Sequence, residues 1–143
     1  MEHRDGTPAE PAAIAALPID RLPIWFQRAE NALIAVAVVA LFVARDFDWW
    51  WLLVLFLAFD LSMAGYARNP RLGAWMYDAV HSYVGPAALA MVAVVGDVRW
   101  AEFLALVWAF HIAVDRTFGY GLKFIDRFSH THLGEIGRPS APR

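Results

Sequence analysis

The 143-residue chain contains no cysteine, and this absence removes several classes of chemistry. It excludes disulfide bonds, thiolate nucleophiles, and zinc or iron–sulfur sites built on cysteine ligands, while leaving the redox compartment open. Charge is also scarce, because 18% of the residues are charged, against about 25% in an ordinary soluble domain. The net charge is only −2, so the composition gives no indication of nucleic-acid binding.

What the chain has in abundance is apolar sequence, gathered into four segments at about 25–44, 49–67, 72–95 and 100–118. Each is close to the ~20 helical residues that cross a hydrocarbon core, and backbone groups in lipid must be satisfied within the segment. The connections at 45–48, 68–71 and 96–99 are short, which favours antiparallel neighbours. A soluble bundle would need polar stripes, which 32–44 and 49–59 lack. The sequence therefore predicts an all-α, up-down-up-down four-helix transmembrane bundle with short loops.

Basic residues are distributed unequally between the two sides of this predicted bundle. Only Arg45 and Arg99 fall on the side of the first and third loops, whereas the side of the termini and the middle loop has ten: Arg4, Arg21, Arg28, Arg68, Arg71, Arg116, Lys123, Arg127, Arg138 and Arg143. By the positive-inside rule this places both termini in the cytoplasm. We expect a multi-pass protein of the inner (cytoplasmic) membrane, with the lipid bilayer as its partner.

Two tails flank the predicted transmembrane domain, which covers residues 24–123. Residues 1–23 are rich in proline, alanine and charge without an apolar core, which predicts a disordered or interfacial tail and not a cleavable signal peptide. Residues 124–143 are predicted to form a short, amphipathic cytoplasmic tail in which Phe124, Ile125 and Phe128 face lipid.

Polar residues inside the apolar segments fall at one depth. Asp60 lies in the second segment, Asp78 and His81 in the third, and His111 and Asp115 in the fourth, with Glu30 near the start of the first. Given a rise of 1.5 Å per residue, all lie roughly 5–15 Å below the cytoplasmic boundary. Because charged groups in a membrane almost always face the bundle interior, these side chains should share one polar site.

The spacing of these residues suits a divalent metal ion. Asp78 and His81 are three residues apart, and His111 and Asp115 are four apart, so each pair projects from one helix face. Ferritin-like bundles hold two metals with a similar arrangement of carboxylates and histidines, although their motif is Glu-x-x-His. A single metal such as zinc with an open position for water is equally compatible.

Four stretches of the chain resemble a known family: FLAFDLSMAGY (56–66), AVHSYVGP (79–86), HIAVDRTFGYGLK (111–123) and THLGEIG (131–137). They are similar to the motifs of the bacterial domain of unknown function 4260 family, whose members are small four-span membrane proteins. The resemblance covers about residues 28–138 and implies a fold and a membrane location, but no activity. It adds His132 to the candidate metal ligands His81, His111, Asp60 and Asp115. A looser likeness to membrane hydrolases of the ceramidase type is an analogy only.

These observations lead to more than one hypothesis for function. In the first, His81, His111 and one or more of the aspartates hold a metal that activates water for the hydrolysis of a lipid or other amphiphile. The catalytic candidates are Asp60, Asp78 and Asp115. In the second, the same cluster is a structural hydrogen-bond network or a partner-binding site in a non-catalytic protein. A proton or ion carrier is less compatible, because the outer half of the bundle lacks polar groups. A b-type haem between His81 and His111 is a further alternative.

Overall fold

The computed structural model describes residues 22–136, which form four helical segments and a small hairpin. The first segment is α1 (Leu22–Ala44), and the second consists of a short α2 (Trp51–Val54) continued by a 3₁₀ helix (Phe56–Ala67). The third comprises α3 (Pro70–Val80) and α4 (Val84–Gly96), and the fourth is α5 (Arg99–Phe118). The antiparallel strands β1 (His130–Thr131) and β2 (Gly134–Glu135) follow. The prediction of a helical chain with four helical segments is confirmed.

The helix ends follow from local sequence. Asn69 caps α3, since its Oδ1 accepts a hydrogen bond from the Leu72 backbone N–H at 2.8 Å, and Pro70 occupies the first helical turn. At the end of α5, Gly119 adopts a φ of 95°, a left-handed conformation that glycine takes without steric cost. The chain reverses direction there, which brings residues 120–136 back over the end of the bundle.

The second segment is wound unusually, because a 3₁₀ helix of 12 residues is much longer than the usual three or four. Its period of three residues places Phe59, Ser62 and Gly65 on one face, and Ser62 and Gly65 are buried. A Cβ on Gly65 would lie 2.8 Å from the Met76 sulfur and 3.1 Å from the backbone of Gly73. Glycine therefore allows the close approach of this segment to α3.

The third segment is interrupted at 81–83, within the stretch of about 72–95 that the sequence predicted as one membrane-spanning helix. Pro86 has no N–H to donate and its ring clashes with a helical carbonyl four residues earlier, which explains why the break lies upstream of it. The backbone carbonyls that lose their helical hydrogen bonds at this break accept hydrogen bonds from side chains instead. Val80 O accepts from Trp108 Nε1 at 2.5 Å, and His81 O accepts from Arg116 Nη2 at 3.3 Å. Side chains of α5 thus stabilise the interruption.

The helix α5 is the centre of the packing, with α1 and α4 against it and α3 against the 3₁₀ helix. Near the start of α5 lies an aromatic cluster in which Phe42, Leu52 and Val107 are buried and Phe47, Trp51 and Phe103 pack around them. The rings of Phe42 and Phe103 are 5.5 Å apart. This cluster closes the end of the bundle opposite to the hairpin.

The outer surface of the bundle is apolar. Two helices are long and apolar enough to cross a membrane, Leu22–Ala44 and Pro70–Gly96 taken through its break, and only 17% and 11% of their most apolar stretches are buried. Large apolar side chains are exposed on the other segments too, with Leu61 74% and Trp100 65% exposed. Such a surface is typical of a membrane-associated protein.

Of the two predicted tails, the structure describes mainly the C-terminal one. Most of the predicted N-terminal tail, residues 1–21, and the last residues, 137–143, lie outside the described residues. Residues 124–136 form an irregular segment with the β1–β2 hairpin, in which Phe124, Ile125 and Phe128 are about half exposed.

Candidate functional site

Four predicted site residues come together in the interior: Asp60, His81, His111 and Asp115. One ligand atom from each lies within 4.8 Å of all the others. The two histidine Nε2 atoms are 2.9 Å apart. Asp60 Oδ1 lies 3.6 Å from His81 Nε2 and 3.8 Å from His111 Nε2, and Asp115 Oδ2 lies 3.5 and 3.8 Å from the same atoms. We refer to these four residues as the His/Asp cluster.

Each member reaches the cluster through a specific feature of the fold. Asp60 projects from the 3₁₀ helix, and His111 and Asp115 from successive turns of α5. His81 is the residue that ends α3, so the interruption at 81–83 is what directs its ring towards α5. The two histidines are buried, with His111 completely inaccessible, whereas Asp60 and Asp115 retain 26% and 15% side-chain exposure.

His81 is held in one tautomer by its own helix. Its Nδ1 lies 2.9 Å from the Tyr77 carbonyl, which can only accept, so Nδ1 carries the proton and Nε2 presents a lone pair to the cluster. A histidine that binds a metal through one nitrogen usually donates a hydrogen bond from the other in this way. The Tyr77 ring stacks on the His81 ring at 3.6 Å, and its hydroxyl donates to Asp115 Oδ2 at 3.3 Å.

His111 is fixed by aromatic packing. Phe56 and Phe59 of the 3₁₀ helix contact its ring, with centroid distances of 4.7 and 5.3 Å. Its Nδ1 is buried and makes no hydrogen bond of ordinary geometry within the described part of the chain, although the Phe56 backbone interacts with the ring. The ring is therefore positioned by shape, with Nε2 directed into the cluster.

The arrangement concentrates atoms with lone pairs, which bind a metal ion or accept a hydrogen bond, at one point. Two carboxyl groups and the Nε2 lone pair of His81 converge there, and lone pairs this close repel unless a proton or cation lies among them. In tetrahedral zinc sites with bond lengths of about 2.0–2.2 Å, neighbouring ligand atoms are about 3.3–3.6 Å apart. Four of the five measured separations, 3.5 to 3.8 Å, are close to that value. A Nε2–Nε2 distance of 2.9 Å leaves no room for a haem between the two histidines.

Three other residues predicted to share the site, Asp78, His132 and Glu30, lie outside the His/Asp cluster. Asp78 Oδ1 accepts a hydrogen bond from the Lys123 backbone N–H at 2.7 Å. His132 accepts one from the Leu122 backbone N–H at 2.8 Å through Nδ1. Both therefore hold the segment after α5 in place. Glu30 is exposed on α1.

Lys123 is a buried ionisable residue that the sequence analysis assigned only to the cytoplasmic side. The residue is 5% exposed, and Nζ lies 4.0 Å from the Phe128 ring centre and 5.0 Å from that of Tyr77. Burial lowers the pKa of Lys123 to about 8, against the attraction of Asp115 and Asp78. One signal was available in the sequence, because Lys123 is the only lysine among 12 basic residues.

Comparison with known proteins gives a family and no activity. The family model described as "Domain of unknown function (DUF4260)" matches residues 25–136, which is most of the chain and includes the whole His/Asp cluster. The chain belongs to this family. No curated protein and no solved structure matches it.

Proposed function

We propose that this member of the DUF4260 family is an integral membrane protein that binds a divalent metal ion, zinc by preference, in its His/Asp cluster and uses it in the hydrolysis of a lipid or other amphiphile. All four helical segments cross the bilayer, and both termini lie on the cytoplasmic side of a bacterial inner membrane. The convergence of Asp60, His81, His111 and Asp115 within 4.8 Å is the observation that carries the proposal.

The dimensions of the helical segments support four crossings. The second segment has only 17 residues, which is short for an α-helix that spans a bilayer. Because most of it is 3₁₀ helix with a rise of about 2.0 Å per residue, it extends about 30 Å, which matches the hydrocarbon thickness. The 20 residues of α5 reach a similar length.

The distribution of charge supports the orientation. On the side of the aromatic cluster, Arg45 pairs with Glu102, and Arg99 donates to the Arg45 carbonyl. The basic residues of the opposite side include Arg68 and Arg71, which are exposed. An excess of basic residues on one side is the pattern that marks the cytoplasmic side.

The chemistry of the donor set favours zinc. Imidazole and carboxylate ligands suit this ion, and a zinc that takes a water as a fifth ligand beside four protein ligands can lower the pKa of that water to about 7. Asp60 is the most exposed of the four ligands, so we place the water and the substrate on its side of the cluster. The Tyr77 hydroxyl holds Asp115, and the Tyr77 carbonyl holds His81, which keeps both side chains oriented.

One observation favours a second candidate, a structural hydrogen-bond network without metal. The Nε2 atoms of His81 and His111 are 2.9 Å apart, which is the length of an N–H···N hydrogen bond and shorter than the edge of a zinc tetrahedron. In this case His111 Nε2 donates a hydrogen bond to His81 Nε2. The two carboxyl groups are then either protonated or in contact with solvent that enters beside Asp60.

Elemental analysis separates the two candidates. Protein purified without chelator and without a histidine tag should contain nearly one equivalent of zinc. His111→Ala and Asp60→Asn should lose most of it while helicity is retained, because each removes a ligand. His132→Ala and Asp78→Asn serve as matched controls that remove the same residue types outside the cluster, and both should retain the metal. A parent protein that neither contains nor takes up zinc, and that melts at the same temperature with and without chelator, would favour the network.

The topology has its own test. Alkaline phosphatase fused to either terminus should be inactive, and green fluorescent protein fused to the C-terminus should be fluorescent, because both termini face the cytoplasm. Phosphatase activity at either terminus would overturn the orientation.

A further inference from the structure

Lys123 has an unusual environment for an ammonium group. Its Nζ is inaccessible and makes no hydrogen bond to any residue in the range 22–136. No carboxylate in the described part of the chain lies within 4.0 Å of it, although Asp115 and Asp78 are near enough to interact electrostatically. The three N–H donors of this buried cation are thus without acceptors.

The aromatic contacts of Lys123 do not offset its burial. A cation over an aromatic ring contributes about 0.5–2 kcal/mol, and Lys123 has such contacts with Phe128 and Tyr77. Removing an ammonium from water costs several kcal/mol unless its donors are satisfied. A hydrophobic residue at this position would pack against the same rings without that cost. The energetic balance therefore points to an acceptor that Lys123 binds in function.

A second unsatisfied donor belongs to a side chain that packs against the same ring, Phe128. The Tyr66 hydroxyl is buried and makes no hydrogen bond within the described part of the chain. The Tyr66 ring packs edge-on against Phe128 at 5.4 Å, and Phe128 is also the ring over which Lys123 Nζ lies. Two independent side chains around Phe128 therefore present free donors, one from the 3₁₀ helix and one from the segment after α5.

This donor pair adjoins the His/Asp cluster. The Tyr77 ring, which Lys123 contacts, stacks on His81, and the Tyr77 hydroxyl donates to Asp115. Lys123 also attracts Asp115 directly. A group bound by Lys123 thus lies one side chain away from two of the proposed metal ligands.

We propose that Lys123 and Tyr66 bind the phosphate group of the substrate beside the metal, so that the substrate is a phosphate ester. The inference rests on the metal site of the proposed function and specifies its substrate class. Phosphate has enough acceptor oxygens for the ammonium, the hydroxyl and a metal at once, and cationic clamps of this kind stabilise the charge of a phosphoryl group. The acids that face the site, Asp78 and Asp115, oppose an anion, and Lys123 and the metal offset them.

The single lysine makes a direct test possible. In protein with ¹³C,¹⁵N-lysine, Lys123 gives the only side-chain amine signal. Inorganic phosphate should shift this signal saturably in zinc-loaded protein in a phosphate-free detergent. In a second arm, nanodiscs of phosphatidylcholine with phosphatidic acid are compared with phosphatidylcholine alone. A response to free phosphate alone assigns a soluble phosphate ester, and a response to phosphatidic acid assigns a lipid headgroup. No response in either arm overturns the inference.

Variants locate the binding site by calorimetry with inorganic phosphate. Lys123→Met and Tyr66→Phe should each weaken phosphate binding at least tenfold, and Arg71→Gln, which removes an exposed charge on the same side, should leave it unchanged. Zinc content is measured on every sample. Zinc without a phosphate response defeats only this inference, whereas a phosphate response without zinc defeats the metal site and retains the anion site. If Lys123→Met does not fold, the response of the Lys123 amine signal in the parent protein still shows whether Lys123 binds phosphate.

Discussion

The two ends of α5 pack in opposite ways, although they belong to one helix. Phe103, Val107, His111 and Asp115 follow one another at intervals of four residues on the same face. Val107 and His111 are both completely buried, one turn apart. Around Val107 lies the aromatic cluster of Phe42 and Leu52, whereas around His111 lie Asp60, His81 and Asp115.

The difference shows which end is built for packing alone. At the aromatic cluster the burial of apolar surface is favourable without a bound metal or a charged partner. It contributes roughly 25 cal/mol per Å² of surface removed from water. The polar end instead buries ionisable groups, which is unfavourable unless they are neutralised, paired or bound to a metal. The aromatic cluster is not extended by one further turn, so the burial of apolar surface alone does not explain why His111 is there.

The largest effect should come from the aromatic cluster and should not depend on metal. Phe42→Ala removes a fully buried ring, and we expect a loss of about 3–5 kcal/mol of unfolding free energy. The loss should be the same in zinc and in chelator, measured by denaturation in detergent. Val43→Ala, at a neighbouring side chain that is 53% exposed, is the matched control and should change stability little. A loss for Phe42→Ala that disappears in chelator would show that the two ends are not independent.

The next largest effect is expected for a variant that replaces a polar residue of the His/Asp cluster with an apolar one. His111→Leu fills the same space with hydrocarbon but removes a metal ligand. In saturating zinc the variant should be less stable than the parent by the binding energy, about 2.7 kcal/mol at a zinc concentration of 100 times Kd. In chelator we expect the variant to equal or exceed the parent, since a buried polar ring is replaced by a packed apolar one. If the order is the same under both conditions, metal binding is not what retains His111.

A smaller effect, of opposite sign, is expected for Lys123. The pKa of Lys123 is about 8 in the folded protein and 10.5 for the free side chain, because burial disfavours the charged form. Between these values the unfolded chain binds more protons, so the stability of the parent rises with pH. Below pH 8 the full penalty of about 3 kcal/mol applies. Because Lys123→Met also loses the cation–π contacts with Tyr77 and Phe128, which contribute about 1 kcal/mol, the variant should be more stable than the parent by about 2 kcal/mol.

Melting curves in phosphate-free buffer check this prediction. The advantage of Lys123→Met should be constant below the folded pKa of about 8 and should shrink as the pH approaches 10.5. An advantage that is independent of pH would mean that the charge of Lys123 is not the cause.

Much of this contrast could be predicted from the sequence. The four helical segments follow from apolar length, and the meeting of Asp60, His81, His111 and Asp115 follows because charged groups within apolar segments turn inward. The separation of Asp78 from His81 could not be predicted from their spacing. A continuous helix would put both on one face, and the break at 81–83 turns His81 to α5 while Asp78 contacts Lys123.

The role of the segment after α5 was also beyond sequence patterns. Lys123 and His132 lie in a stretch without helical or strand periodicity, and their positions depend on the reversal at Gly119 and on contacts with Asp78 and Leu122. Such contacts join residues distant along the chain, which local propensity does not encode.

The smallest effect should come from the charges at the aromatic end. Arg45 and Glu102 form an ion pair there, but the Arg45 side chain is 55% exposed, so solvent screens the attraction. We expect Arg45→Gln to change the unfolding free energy by less than about 1 kcal/mol, and less still in high salt. Glu102→Gln is the matched partner variant, and the double variant isolates the pair itself. Charge at this end is peripheral, whereas at the other end it lies in the core. A loss for Arg45→Gln as large as that for His111→Leu would remove this distinction between the two ends.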